Sequence, residues 1–339
     1  MKVASGLAVG MKPLPELASA AVNQALAKAE LTQAGTVLLF LTRDFQRQPQ
    51  PALLAAARAA GSMEIFGCTA YGLITEEGWL LDQSGAAALV IESLPASNKV
   101  AVSHQLSFTG HSTLPYDWQA GSPRAGLLDS EAAVWAHGRQ ISGGNAEIRL
   151  PGFNSRLAIS TGLHLLSEPL RIDSCQSYDL KMIGGMSAVD SLRRKLPGER
   201  RQEMSLHNLV AVRHLGEPGV AILAANDDGS LTLAESFQPG DMLSWAIRQP
   251  LSAEQDMAEN LSVTVNEQKA PDFSMMFSCI GRGPLFYGND DRDLLAFRER
   301  LPNTPLIGAY GSGQIAPANG RNRLFQNSVM TLLFENENV

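Results

Sequence analysis

Two short segments of this chain are built alike, and their likeness restricts the fold more than any other feature. Residues 67–74 read GCTAYGLI and residues 308–315 read GAYGSGQI. Gly67 matches Gly308, and Gly72 matches Gly313; Ile74 and Ile315 follow at the same spacing. Each segment comes after an apolar run, a loop and a Leu-rich helical stretch: VLLFLT then PALLAAARAAG in one case, MMFSCIGRG then DLLAFRERL in the other. Each leads into a polar stretch and another apolar strand, AAALVIE or SVMTLLF. Glycines after a strand often cradle phosphate, but a phosphate loop opens a helix whose N-terminus faces the anion. Both loops here run towards strands. The better reading is a repeated bend in which glycine lets one backbone approach another.

The remaining pattern is mixed. Ala-rich helical spacing covers 16–31, and a short buried strand is expected at 36–42. Residues 51–60 suit a helix opened by Pro51 and stopped by Gly61. Strands follow at 63–75, 86–93 and 99–107. The Gly/Pro/Ser-rich stretch 109–156 reads as a mobile arm or a partly ordered connection holding one short helix at 130–139. A hairpin is expected over 208–215 and 219–226, and a helix interrupted at Pro250 over 241–268. Strand 273–283, helix 291–301 and strands 304–315 and 328–335 complete the chain. Alternating strands and helices with consecutive strands added give an α/β fold. Its expected form is two related lobes with mixed parallel/antiparallel sheets covered by helices, joined by an internal repeat.

Charge narrows the partners. The net charge is −7, which disfavours nucleic acid, since phosphate binding needs Lys and Arg. The one basic cluster, RRKLPGERR at 193–201, carries a Pro-Gly turn signal and reads as a solvated loop. No apolar run is long enough to span a membrane. Three widely spaced cysteines fit a reducing compartment, so the expected location is cytoplasmic. The six histidines are scattered and C-x-x-C is absent, so neither a metal nor a cofactor is expected. NDDRD at 289–293 reads as the cap and first turn of the helix that follows.

The best chemical constellation is SCIGRGPLFYG at 278–288. Arg282 lies three residues beyond Cys279, where a guanidinium favours thiolate or grips a carboxylate in a bidentate fork. A core cysteine and a loop ion pair are the plain alternative. Cys68, in the first glycine loop, is read as a small residue in a tight bend, with Thr69 beside it.

These motifs, IFGCTAYGLI, SCIGRG, PLIGAYGSGQIAP and QNSVMTLLF, resemble the FIST family, and DDGSLTLAESFQPGDMLSWAIR resembles the opening of its C-terminal domain. The resemblance implies a FIST N-terminal-like domain over 1–215 and a FIST C-terminal-like domain over 216–339. It implies a non-enzymatic sensory module for a small-molecule ligand, an amino acid or related carboxylate. Its ligand-binding residues are expected to be Cys279, Arg282, Gly283, Tyr310 and Gln314, with Cys68 and Thr69. The family usually has an acid where Gln314 stands; the amide keeps hydrogen bonding without the charge. No output domain is expected within these residues, so output is expected through a separate signalling protein or a homo-oligomer. A thiol enzyme using Cys279 and a scaffold docking through 109–156 are the rival classes.

Overall fold

The computed structural model describes residues 1–94, 103–196, 198, 205–214, 216–265 and 269–337. They form two compact units. Unit one joins Met1–Ser160 to Met257–Val339, and unit two is Thr161–Asp256. The expected division at 215/216 concerns family domains; unit two lies across it.

Unit one is a mixed α/β assembly of three sheets. The first runs in the order Val3–Gly10, Ser84–Ile91, Thr36–Thr42, Ile65–Ala70, Val134–Ala136, Arg139–Gln140. The second runs Phe153–Ser160, Val329–Asn336, Phe273–Cys279, Leu306–Gly311, Gly72–Thr75, Gly78–Leu81. Their first four positions share one pattern: antiparallel, antiparallel, then parallel. The hairpin Gly72–Leu81 leaves the strand that precedes it and pairs with Leu306–Gly311 of the second sheet. The third sheet is ordered Asn145–Ile148, Gln105–Thr109, Arg124–Leu128, Gly313–Ala318, Arg321–Phe325.

Strand alternation sorts the side chains. Leu38 and Phe40 face an inner core, and Val37, Leu39 and Leu41 face the helices Pro15–Ala29 and Gln50–Ala60. In the second sheet Phe273, Met275 and Phe277 face the inner core. Met276 packs on the outer side with Met257, Leu261, Leu294 and Phe297. Phe40, Phe108 and Phe277, one from each sheet, meet edge to face with centroids 5.4–5.8 Å apart. This triangle marks the middle of the core.

The matched glycines sit in the parallel pairs. Gly67 is in register with Leu39, and Gly308 with Met276. A Cβ at either position would overlap the carbonyl oxygen of that register partner. The glycines therefore serve close strand approach, and the segments after them, Gly72–Thr75 and Gly313–Ala318, are strands.

Unit two is a small closed barrel. Its strands follow the ring Leu209–Val212, Val220–Ala225, Leu231–Leu233, Asp179–Ile183, Leu170–Gln176, Met242–Arg248 and back to Leu209–Val212, all antiparallel. Its core contains Trp245, Leu231, Ile183 and Leu192. The helix Ala188–Lys195 starts at Ser187, whose hydroxyl accepts from Asp190 N.

Several expected elements differ. Residues 130–139 form the strand Val134–Ala136 and turns, because Thr69 N donates to Ala133 O, Ala133 N donates to Thr69 Oγ1, and Gly67 pairs with Trp135. The stretch 109–156 carries the strands Arg124–Leu128, Val134–Ala136, Arg139–Gln140 and Asn145–Ile148, joined by turns, where an arm was expected. Residues 242–248 are a barrel strand, so Pro250 opens the following helix, Pro250–Thr264, rather than interrupting one. Val3–Gly10, which carries no strong strand pattern, is an edge strand. Residues 95–102 of the expected strand 99–107 and its turn lie outside the described residues. Among the described residues, no helix is long and apolar enough to cross a membrane.

Candidate functional site

In unit one the parallel strands Thr36–Thr42 and Ile65–Ala70 end side by side, and the chain leaves each through a polar residue. Arg43 follows the first and Tyr71 the second. The Arg43 guanidinium carbon lies 3.2 Å from the Tyr71 ring centroid. Its Nε donates to Asp129 Oδ2 at 3.0 Å and its Nη2 to Oδ1 at 2.6 Å. Nη2 also reaches Ser130 O at 3.3 Å. Asp129, just beyond the strand Arg124–Leu128, is 1% exposed and also accepts from Ser312 Oγ at 2.8 Å. Burial raises the Asp129 carboxyl above the usual range, against the opposing pull of Arg43 and Ser312. Burial works against the Arg43 charge, but Asp129 more than offsets it and holds the guanidinium above its ordinary pKa.

Arg43 borders an open cavity of about 440 Å³, lined also by Thr42, Asp44, Tyr71, Asp82 and Ser84. Asp44 accepts from Thr42 Oγ1 at 2.5 Å and from the Ser84 hydroxyl. The bonds to Asp129 and Ser130 use Arg43 Nε and Nη2 and leave Nη1 out. The cavity thus offers a guanidinium edge, an aromatic face and two carboxylates, a set that can hold an anionic and a cationic group at once. Among the described residues, no cluster of three or more His, Cys, Asp or Glu could hold a metal ion.

A second polar cluster is sealed. Arg282, 1% exposed, donates through Nη1 to Ser160 O at 2.9 Å and through Nη2 to Ser160 Oγ at 2.7 Å. Nη2 also meets Asp293 Oδ1 at 2.9 Å, and Nε meets Oδ2 and Tyr287 Oη, both at 3.2 Å. Burial pushes the Asp293 carboxyl up to about 6, although Arg282 pulls it down. Burial likewise raises the Tyr287 hydroxyl. Asp291 caps its helix through Leu294 N at 2.9 Å and accepts from the Tyr310 hydroxyl. A Cβ at Gly283 would come within 3.1 Å of the Tyr310 ring.

The sequence-predicted residues therefore divide. Arg282, Gly283 and Tyr310 belong to the sealed cluster; the Arg282 fork grips Asp293 and Ser160 where a ligand carboxylate was expected. Cys279 and Cys68 border the Asp129 cluster. Cys279 Sγ is 3.8 Å from Ser312 O, and the Asp129 charge adds to the burial that raises the Cys68 thiol well above its ordinary value. Thr69 Oγ1 accepts from Ala133 N at 3.0 Å, which ties down the strand behind the cavity. Gln314 is fully buried, and neither of its amide atoms has a hydrogen-bond partner among the described residues.

Sequence reasoning missed Arg43, Tyr71 and Asp129. Their signal was a charged or aromatic polar residue directly after an apolar strand, as in LLFLT-RD, GCTA-Y and GLL-D. In an α/β sheet such positions face the crevice at the carboxyl ends of the strands.

Comparison with known families matches the FIST N domain over residues 35–229 and the FIST C domain over residues 188–317. An uncharacterized protein of Mycobacterium tuberculosis is 22% identical over an alignment of 379 positions, covering 97% of this chain and 99% of that protein. An uncharacterized protein of Mycobacterium bovis is 27% identical over 210 positions, covering 57% of this chain and 54% of its own length. FIST domains are generally sensory signal-transduction domains. With the two domain matches running across most of its length, this chain belongs to the FIST family.

Proposed function

We propose that this protein is a cytoplasmic, non-enzymatic sensor of a small zwitterion or carboxylate, an amino acid being the leading class. The observation that carries the reading is the cavity of about 440 Å³ at the strand ends, lined by Arg43, whose Nη1 the Asp129 and Ser130 bonds do not use, and by Asp44 and Asp82. A ligand carboxylate would take the guanidinium edge, and an ammonium would take the acidic side. Cys68, Thr69 and Cys279 lie behind this wall and shape it through Asp129, Ala133 and Ser312. A thiol enzyme is less well supported, since the partner of the buried Cys279 is a carbonyl oxygen, which is no base. The free cysteines suit a reducing compartment, and the acidic net charge disfavours a nucleic-acid partner. The signal passes to a separate output protein or through homo-oligomerisation.

We further propose that unit one contains an internal repeat. Its support is the shared order of the first four strands in two sheets and the same glycine-on-carbonyl contact in both parallel pairs. On this reading unit two is inserted into the second copy, between its first strand and its first helix.

The test is a thermal-shift and calorimetric screen of the full chain against amino acids and simple carboxylates. A ligand at 100 times its Kd should add about 2.7 kcal/mol of stability. Tyr71→Ala and Asp82→Asn, both at the cavity, should weaken that ligand at least about tenfold. No response from any amino acid or carboxylate, or unchanged affinity in both variants, would sink the reading.

A further inference from the structure

Unit two holds a cavity of its own, about 240 Å³ in volume. Its wall comes from the start of the strand Leu170–Gln176, the end of Asp179–Ile183, the strand residue Met186 and the helix Ala188–Lys195. The turn between the last two strands can bend inward because Gly184 and Gly185 both adopt positive φ, 59° and 77°. Leu170, Ile183 and Met186 supply an apolar floor, and Arg194 and Lys195 supply the rim.

We propose that this cavity binds a small organic monoanion, a carboxylate with a compact apolar body, seated on Leu170, Ile183 and Met186 with its charge at Arg194 and Lys195. Three observations support this. First, the volume exceeds the roughly 150 Å³ that accommodates benzene and falls below the drug-sized range, so one ring or a short branched chain fits. Second, the two cations are uncommitted. Arg193 pairs with Asp190 at 3.8 Å, whereas neither Arg194 nor Lys195 makes an ion pair or side-chain hydrogen bond among the described residues. Third, no acidic residue is among the described lining residues, so an ammonium group would meet only like charge. This separates the site from the Arg43 cavity, whose mixed charges suit a zwitterion. The helix dipole favours cations in its last turn, but it does not account for the apolar floor beneath them. The basic cluster read from sequence as a solvated loop thus contributes two of its residues to a binding wall.

The site has a built-in reporter. Ser191 lines the cavity, and its Oγ accepts from Trp245 Nε1 at 3.1 Å. Titration of the ¹⁵N-tryptophan-labelled full chain with benzoate and isovalerate should shift the Trp245 indole signal saturably, with Kd below about 1 mM. Arg194→Gln/Lys195→Gln, both exposed, should weaken binding at least about tenfold without altering the free spectrum. Met186→Trp should block it by filling the cavity. Leucine should compete poorly because of its ammonium, and inorganic phosphate because it has no apolar body. An indole signal that ignores both carboxylates would overturn the proposal. So would equal affinity in the charge variant, or phosphate or leucine binding as well as benzoate.

Discussion

Replacing Arg282 by Met tests whether this arginine holds the fold or holds a ligand. The substitution keeps most of the aliphatic stem and removes the fork that reaches Ser160, Tyr287 and Asp293. The individual charged hydrogen bonds cannot simply be summed, because they form one network. Deleting one partner of a buried ion pair costs about 3–5 kcal/mol, chiefly through the charge left behind. That charge can neutralise itself. Asp293 already sits at about 6 through burial, and losing Arg282 would raise it further. Between the new value and about 6 the variant's folded state would bind one proton more than wild type does. Its deficit should therefore shrink by about 1.4 kcal/mol for each pH unit lowered across that window. Below the wild-type value both proteins are protonated there and the deficit should level off. Urea unfolding of both proteins at pH 8, 7 and 6 reads this directly. Arg282→Met/Asp293→Asn should abolish the pH dependence of the deficit. A variant within about 0.5 kcal/mol of wild type at pH 7, yet unable to bind ligand, would refute the structural assignment and return Arg282 to a binding role.

Gly308→Ala, which drives a Cβ into the Met276 carbonyl, should destabilise by about 3 kcal/mol or more in urea, and Gly67→Ala should behave alike; Gly78→Ala, with open space around its Cβ, should change little. An alanine tolerated at both crowded positions would remove the close-approach argument. The Asp293 carboxyl should titrate near 6 by ¹³C NMR. Because the folded group binds its proton more tightly than the unfolded one, its contribution to stability is fullest below about pH 4 and is lost as pH rises through about 6. A midpoint at or below the ordinary carboxylate range would contradict the burial argument.

Much of unit one was legible because its signals are local. TVLLFLT is apolar between its two threonines, and burial on both faces makes it a central strand. Asp291 was readable as a cap because capping is a contact between near neighbours. What sequence could not supply was the partner of each polar residue. Arg282 looked available because Asp293 and Ser160 approach it only in the fold, Ser160 from 122 residues away. Asp129 was invisible for the same reason: Arg43 and Ser312 reach it from 86 and 183 residues away. Residues 130–139 misled because helical spacing over a short span is easily overridden by strand pairing, here with Gly67 and Cys68.

The hairpin Gly72–Leu81 has a consequence for how the chain is made. It leaves the ribosome well before the strand it pairs with, Leu306–Gly311. Until then its edge has no mate, and the ring of Phe40 waits for that of Phe277. Unit one should therefore complete its folding only once Leu306–Gly311 has emerged, slowed by long-range pairing. A fragment cut after residue 215 would carry an unpaired strand edge and half a core, which favours aggregation over a working half-protein.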